Sequence, residues 1–290
     1  MAIALAFGTA LFESFKDLFT KFSLRVVDEY AVAVSTHFVQ ALILFPIAYY
    51  TGLYFPTQSF LIALFFAVII QFTVILLYLK ALKISEISKS IPFITLTPLF
   101  MLISSPIILG EFPNVFGLTG IVLIVAGTWL LNYSKTNKSF AAPFKSLITN
   151  KGSRYMLFVA FLWSITANID KIGVQESSPV FWIFAKDVIL MLLLSVVMFW
   201  KSKNPFTHIG AEIKTLSLIG FLRAGSALSQ MIAIQFILVS YVIAIKRSSA
   251  LFVILWGYFF LNEKENIKTK LSGIMIILSG LALIVLSQAK

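Results

Sequence analysis

Ten apolar runs, separated by short polar breaks, constrain this chain more than any other feature. They fall near 2–24, 30–50, 59–80, 87–109, 115–133, 154–174, 180–200, 215–238, 241–261 and 268–287. Each is close to the roughly 20 residues that an α-helix needs to cross the hydrocarbon core of a bilayer. Only 12% of the residues are charged, against about a quarter in a soluble domain. The expected fold class is therefore an all-α membrane protein with ten transmembrane helices. The opening stretch "MAIALAFGTALFESF" has no basic leader and no small-residue cleavage site, so it reads as a retained helix. With no cysteine in the chain, disulfides and thiolate metal sites are excluded. The net charge of +11 is spread over many loops rather than gathered in a basic tail, which argues for no nucleic-acid partner.

The runs form two matching halves. "LTGIVLIVAG" (118–127) lies over "LSGIMIILSG" (271–280), pairing Gly120 with Gly273 and Gly127 with Gly280. Just upstream, "LGE" ending at Glu111 matches "LNE" ending at Glu263. Ala81 falls on Ala233, Gln71 on Arg223, and "ESFKDLFTK" (13–21) on "WSITANIDK" (163–171). Five helices per half is an odd number, so the copies must be inverted relative to each other, an arrangement typical of secondary transporters. The expected organisation is a first five-helix repeat over 1–133, a polar linker over 134–153 and a second five-helix repeat over 154–290. The glycines, seven apart on one face, read as close helix–helix contacts. Pro92 and Pro98 in the fourth run predict a kink.

Of the 23 Lys and Arg residues, 16 lie in loops after odd-numbered runs and two, Lys171 and Lys290, on the opposite side. The positive-inside rule puts the odd loops in the cytoplasm and both termini outside.

The other five cations, Lys16, Lys186, Arg223, Lys246 and Arg247, lie within the runs. A cation at the centre of a membrane helix costs roughly 2.5–3.5 kcal/mol on insertion scales. Helix one presents Glu13, Lys16, Asp17 and Thr20 on one face, where Lys16 is placed for local ion pairing. Helix six adds Ser164, Asn168 and Lys171, the last closing its span and able to snorkel. Lys186 and Asp187 are adjacent, diverge by about 100° and cannot pair with each other. Helix eight carries a stripe of Arg223, Ser226, Ala227 and Gln230, matched in helix three by Gln71 and Tyr78. Arginine stays charged with five donors to satisfy. Five spanning cations face three spanning anions, Glu13, Asp17 and Asp187, and the surplus calls for an anion in a wet cavity. His37 and His208 have no partner in the local pattern and are assigned no role.

Ten helices in five-helix repeats, "LxE" closing helices four and nine, G-x6-G in helices five and ten, and Trp163 with Lys171 in helix six together resemble the drug/metabolite transporter superfamily, in particular its EamA-like members. Glu13 stands where such proteins usually carry Trp. The resemblance implies an alternating-access carrier of small metabolites, no cofactor and no enzymatic activity; it also implies cytoplasmic termini, opposite to the charge count. The pair Lys246-Arg247 is similar to a Lys-Arg pair in the ninth helix of organellar phosphate translocators of that superfamily.

The function expected is secondary transport of a small anionic or zwitterionic metabolite, phosphorylated ones included, across a bacterial plasma (inner) membrane. Arg223, Lys246 and Arg247 are the candidates for the anionic group, with Lys186 assisting and Gln71, Tyr78 and Gln230 as polar contacts. Glu13, Asp17 or Asp187 could carry a coupling proton. The alternative is an exporter of amino acids or other neutral metabolites, and a remote one is a membrane-embedded enzyme acting on lipid phosphates, for which neither nucleophile–base pair nor metal cluster is visible.

Overall fold

The computed structural model describes residues 1–52, 56–84, 91–131, 150–252 and 267–288. Ten α-helices lie among them: α1 (Ala2–Ser23), α2 (Glu29–Thr51), α3 (Gln58–Ile84), α4 (Thr97–Leu109), α5 (Val115–Leu131), α6 (Lys151–Gln175), α7 (Pro179–Lys201), α8 (Ile209–Ala233), α9 (Val239–Arg247) and α10 (Ile267–Ser287). The described residues hold no strand. Among the described residues, five helices, α2, α3, α6, α7 and α8, are both long and apolar enough to cross a membrane.

Helix ends follow the local chemistry. Asp28 caps α2 by accepting from the N–H groups of Tyr30 (2.9 Å) and Ala31 (3.2 Å). Ser178 caps α7 by accepting from Phe181 N–H (3.1 Å), with Pro179 at the first helical position, where its missing N–H costs nothing. Gly110 ends α4 at φ 69°, the left-handed conformation that glycine tolerates.

Four sequence expectations need correction. Helix eight starts at Ile209 rather than 215 and ends at Ala233; residues 234–238 turn the chain instead of extending it. Helix six starts at Lys151, inside the expected linker; the remainder of the linker, 134–149, lies outside the described residues. Helix four is not one helix: a 3-10 turn over Ile91–Leu96 precedes α4. Pro98 sits in the first turn of α4, where a proline starts a helix but cannot continue one. Helix nine is likewise interrupted, since α9 stops at Arg247 and helix resumes at 249–252. The Ser248 hydroxyl donates to Ile245 O (2.6 Å) and so competes for a carbonyl of the last turn. The expected continuation to 261, and Glu263, lie outside the described residues.

The chain folds into two compact units, each drawing helices from both halves of the sequence. Unit 1 comprises Met1–Phe72 and Ile169–Gln235. Here α1 packs on α8, and α2 packs on α7 and α8, around a cluster of Val27, Ala31, Val32, Met198 and Leu216. Unit 2 comprises Thr73–Asn168 and Phe236–Lys290. Its α5 packs along α10, and α9 packs on α4 and α5. Ala81, Phe93, Ile94, Trp129 and Met156 form a buried cluster there.

Unit 1 brings equivalent positions of the repeats face to face, and unit 2 pairs them crosswise. His37 and Asp187 each lie nine residues after their helix caps, Asp28 and Ser178, and they meet in unit 1 at 3.9 Å. In unit 2, Gly120 faces Gly280 and Gly127 faces Gly273. Ascending α5 thus meets descending α10, the antiparallel crossing that inverted repeats require.

Candidate functional site

In unit 1, several buried or half-buried charged side chains of α1, α6 and α7 are committed to one another. Lys16 donates to Glu13 Oε1 (2.6 Å) and lies 3.2 Å from Asp17, so the local ion pairing expected in helix one is present. Glu13 also accepts from Ser226 Oγ on α8 (2.9 Å). Lys186 turns away from its neighbour Asp187, as the 100° step between adjacent residues dictates, and pairs with Asp170 on α6. Asp170 accepts in addition from Trp182 Nε1 (2.8 Å). The indole covers Gly173, where a side chain would collide with the ring at 2.2 Å, so the absence of a Cβ lets Trp182 reach the acid.

These contacts correct the charge count. Asp170 is buried inside α6, which continues to Gln175, and is a fourth spanning anion that the sequence count omitted. Lys171 is buried within the same helix and does not close it. Lys186 is thus held by a carboxylate of its own unit. Gln71 is half-buried on α3 and Gln230 is buried on α8.

A second group in unit 1 gathers around His37, which had no assignable role in the sequence. Its Nδ1 lies 2.7 Å from the Ala33 carbonyl oxygen, and its Nε2 lies 2.8 Å from Arg223 Nη2. A carbonyl can only accept and a guanidinium can only donate. The ring is therefore neutral, with its proton on Nδ1 and its Nε2 lone pair taken by Arg223. Asp187 lies 3.9 Å from both His37 Nε2 and Arg223 Nη2, beyond hydrogen-bond length. Among the described residues, Asp187 Oδ2 and Arg223 Nε are buried and make no hydrogen bond.

Unit 2 holds Arg247, Lys246 and Tyr78. The Arg247 guanidinium lies over the Trp163 indole, 5.4 Å from its centroid, and Tyr78 adjoins the same ring at 6.0 Å. Arg247 Nη2 donates to Thr97 Oγ1 (3.2 Å), whose own hydroxyl donates to Ile94 O (2.6 Å). Thr97 is the first residue of α4, directly after the 3-10 turn, so the guanidinium sits where the backbone changes from one helical form to the other. Lys246 precedes it in the last turn of α9, half-buried. No Asp or Glu occurs in any described helical segment of this unit. Asn168, expected to face a cavity, instead bonds α6 to α4: its Oδ1 accepts from Ser105 (2.8 Å), and its Nδ2 donates to Ser104 (3.0 Å), while the Ser164 hydroxyl donates within α6 to Phe161 O (2.7 Å). Glu111, the acid of "LGE", accepts from Val239 N–H at the start of α9 (3.3 Å). A helix-terminus contact of this kind gives the motif a physical reason.

The family model for the EamA-like transporter family matches residues 1–133 and 150–286. A chain of known crystal structure superposes with a TM-score of 0.82 at 14% identity, covering 99% of this chain and 98% of the other; at that identity the likeness concerns the fold. No curated protein matches the sequence.

Proposed function

The chain belongs to the EamA-like transporter family, and from that premise we propose that it carries a small anionic or zwitterionic metabolite, phosphorylated ones included, by alternating access across a bacterial plasma (inner) membrane. Its family makes it an integral membrane transporter of small molecules; the substrate class is our own reading. One observation carries it. Arg247 is held by Thr97 and Trp163 where a 3-10 turn gives way to α4 and where α9 stops. Interrupted helices place irregular backbone and helix termini at substrate sites of secondary transporters, and a guanidinium there suits carboxylate or phosphate in bidentate contact.

Arg247 and Lys246 take the anionic group in unit 2, beside Tyr78. In unit 1, Arg223 is a second anion-seeking guanidinium, with Gln71 and Gln230 as polar contacts and Lys186 reduced to an indirect role by its bond to Asp170. Glu13, Asp17 and Asp187 are the carboxylates able to carry a coupling proton.

The exporter reading, with neutral cargo, gains support from the ion pairs of Lys16 and Lys186, in which charges of unit 1 serve one another. A thermal-shift screen of purified protein against phosphorylated sugars, carboxylates and amino acids separates the two. A ligand at 100 times its Kd adds about 2.7 kcal/mol of stability. A phosphate or dicarboxylate response that disappears in folded Arg247→Gln supports the anion reading. Responses confined to neutral amino acids, and retained in that variant, replace it with the exporter.

A further inference from the structure

We infer that His37 is a proton-binding site that controls Arg223: the neutral ring holds the guanidinium, and the protonated ring turns its Nε2–H to Asp187 and lets Arg223 go. The contacts leave little choice about where a proton can land. Nδ1 is already protonated and bound to Ala33 O, so the ring can accept only at Nε2, the atom that Arg223 Nη2 occupies. Two donors cannot share that contact. Asp187 Oδ1 stands 3.9 Å from Nε2, near enough to accept the new N–H after a small side-chain movement. The same carboxylate has a second buried oxygen without a hydrogen bond among the described residues, and Arg223 Nε is equally without one. The group is thus built with one acceptor and one donor in reserve.

His37 sits on α2, which packs against α7 and α8. Facing it are Arg223 on α8, and Asp187 and Lys186 on α7; Lys16 on α1 is also within electrostatic reach. Lys186 is tied to Asp170, and Lys16 to Glu13 and Asp17. That leaves Asp187 as the anion at hand for an imidazolium. With His37 neutral, Asp187 and Arg223 balance each other. After protonation, His37 takes over that balance and Arg223 carries a charge that only an incoming anion offsets. Proton and anion would then travel together, with no net charge added to the unit. This last step rests on the anionic-substrate reading; the protonation of His37 does not.

The test uses the whole protein in detergent micelles, labelled with 15N-histidine and free of substrate. It has two histidines, and His208, exposed at the start of α8, serves as the internal reference. Ring nitrogen signals are followed between about pH 5 and 8.5, the range that spans ordinary histidine titration. The expected result is a neutral His37 with Nδ1 protonated at high pH and both nitrogens protonated at low pH. In Asp187→Asn, the doubly protonated form should be diminished at every pH. A His37 ring that keeps one proton throughout overturns the inference, and so does a neutral ring with its proton on Nε2. Thermal shifts with inorganic phosphate in the same buffers separate the two ideas. Stabilisation by phosphate with an unresponsive His37 leaves the anion reading standing and removes this one. A titrating His37 with no anion response at any pH does the reverse.

Discussion

Gly120 and Gly280 meet backbone to backbone: a Cβ on either would lie 2.7 Å from the other's carbonyl oxygen. No real Cβ tolerates that distance, so α5 and α10 approach as closely as they do because both lack side chains at the crossing. Alanine at Gly120 must push the helices apart. The expected cost is about 1–3 kcal/mol, as for other overpacked contacts, read as a lower Tm of the detergent-purified protein. Gly210, near the start of α8, has open space around it, with nothing within 4 Å of where a methyl group would stand; Gly210→Ala should be neutral or stabilising by up to about 1 kcal/mol. Equal losses at both positions would show that the α5–α10 crossing is not what the glycines are for.

Lys186 and Asp170 form a buried pair with Trp182 as a third member. Removing one charge of such a pair costs about 3–5 kcal/mol, since the other is left uncompensated, whereas removing both is far cheaper. Lys186→Met should therefore lower thermal stability strongly. Lys186→Met with Asp170→Asn should recover most of the loss, because the amide oxygen still accepts from Trp182. If the single variant is as stable as the parent and only ligand binding suffers, Lys186 is a substrate contact and not a structural cation.

How much of this was legible in the sequence depends on how far apart the partners are. The glycine contacts, the ion pairing of Lys16 and the divergence of Lys186 from Asp187 follow from helical spacing, and all are present. The interruption after Arg247 was hidden because "SSALF" continues the apolar run while a serine hydroxyl locally competes for the backbone. Asp170 escaped the charge count because the sixth span reads as closing beside it, at Lys171, whereas α6 continues to Gln175. Its partners, Lys186 and Trp182, lie on another helix and show in no local pattern. His37 was invisible for the same reason: its neighbours stand at 187 and 223, and no local pattern links them. Spacing reveals which face of a helix is polar, but not which face of which other helix answers it.

Trp163 offers a way to weigh the aromatic part of the Arg247 site. A guanidinium over an indole contributes about 0.5–2 kcal/mol. Replacing Trp163 by Leu keeps an apolar surface but removes the ring, so Arg247 should lose orientation rather than charge. The expected result is a Kd for an anionic ligand weakened about 2- to 30-fold, measured by titration calorimetry on the ligand found in the screen. Arg247→Lys should weaken binding further, since a lysine keeps the charge but not the planar fork. An unchanged Kd in both variants would take the anion away from this site.

The loop charges make a prediction about orientation that needs no ligand. With 16 basic residues in the loops after odd-numbered helices or in the helical turns that border them, that side is assigned to the cytoplasm by the positive-inside rule. The chain has no cysteine of its own, so a single Lys145→Cys in the linker between the repeats reports without background. In intact cells it should resist an impermeant maleimide and react only after the membrane is opened. A cysteine replacing Ser177, between α6 and α7, should show the opposite pattern, because one membrane helix separates the two positions. Labelling of Lys145→Cys in intact cells, with Ser177→Cys protected, would invert the orientation and return both termini to the cytoplasm.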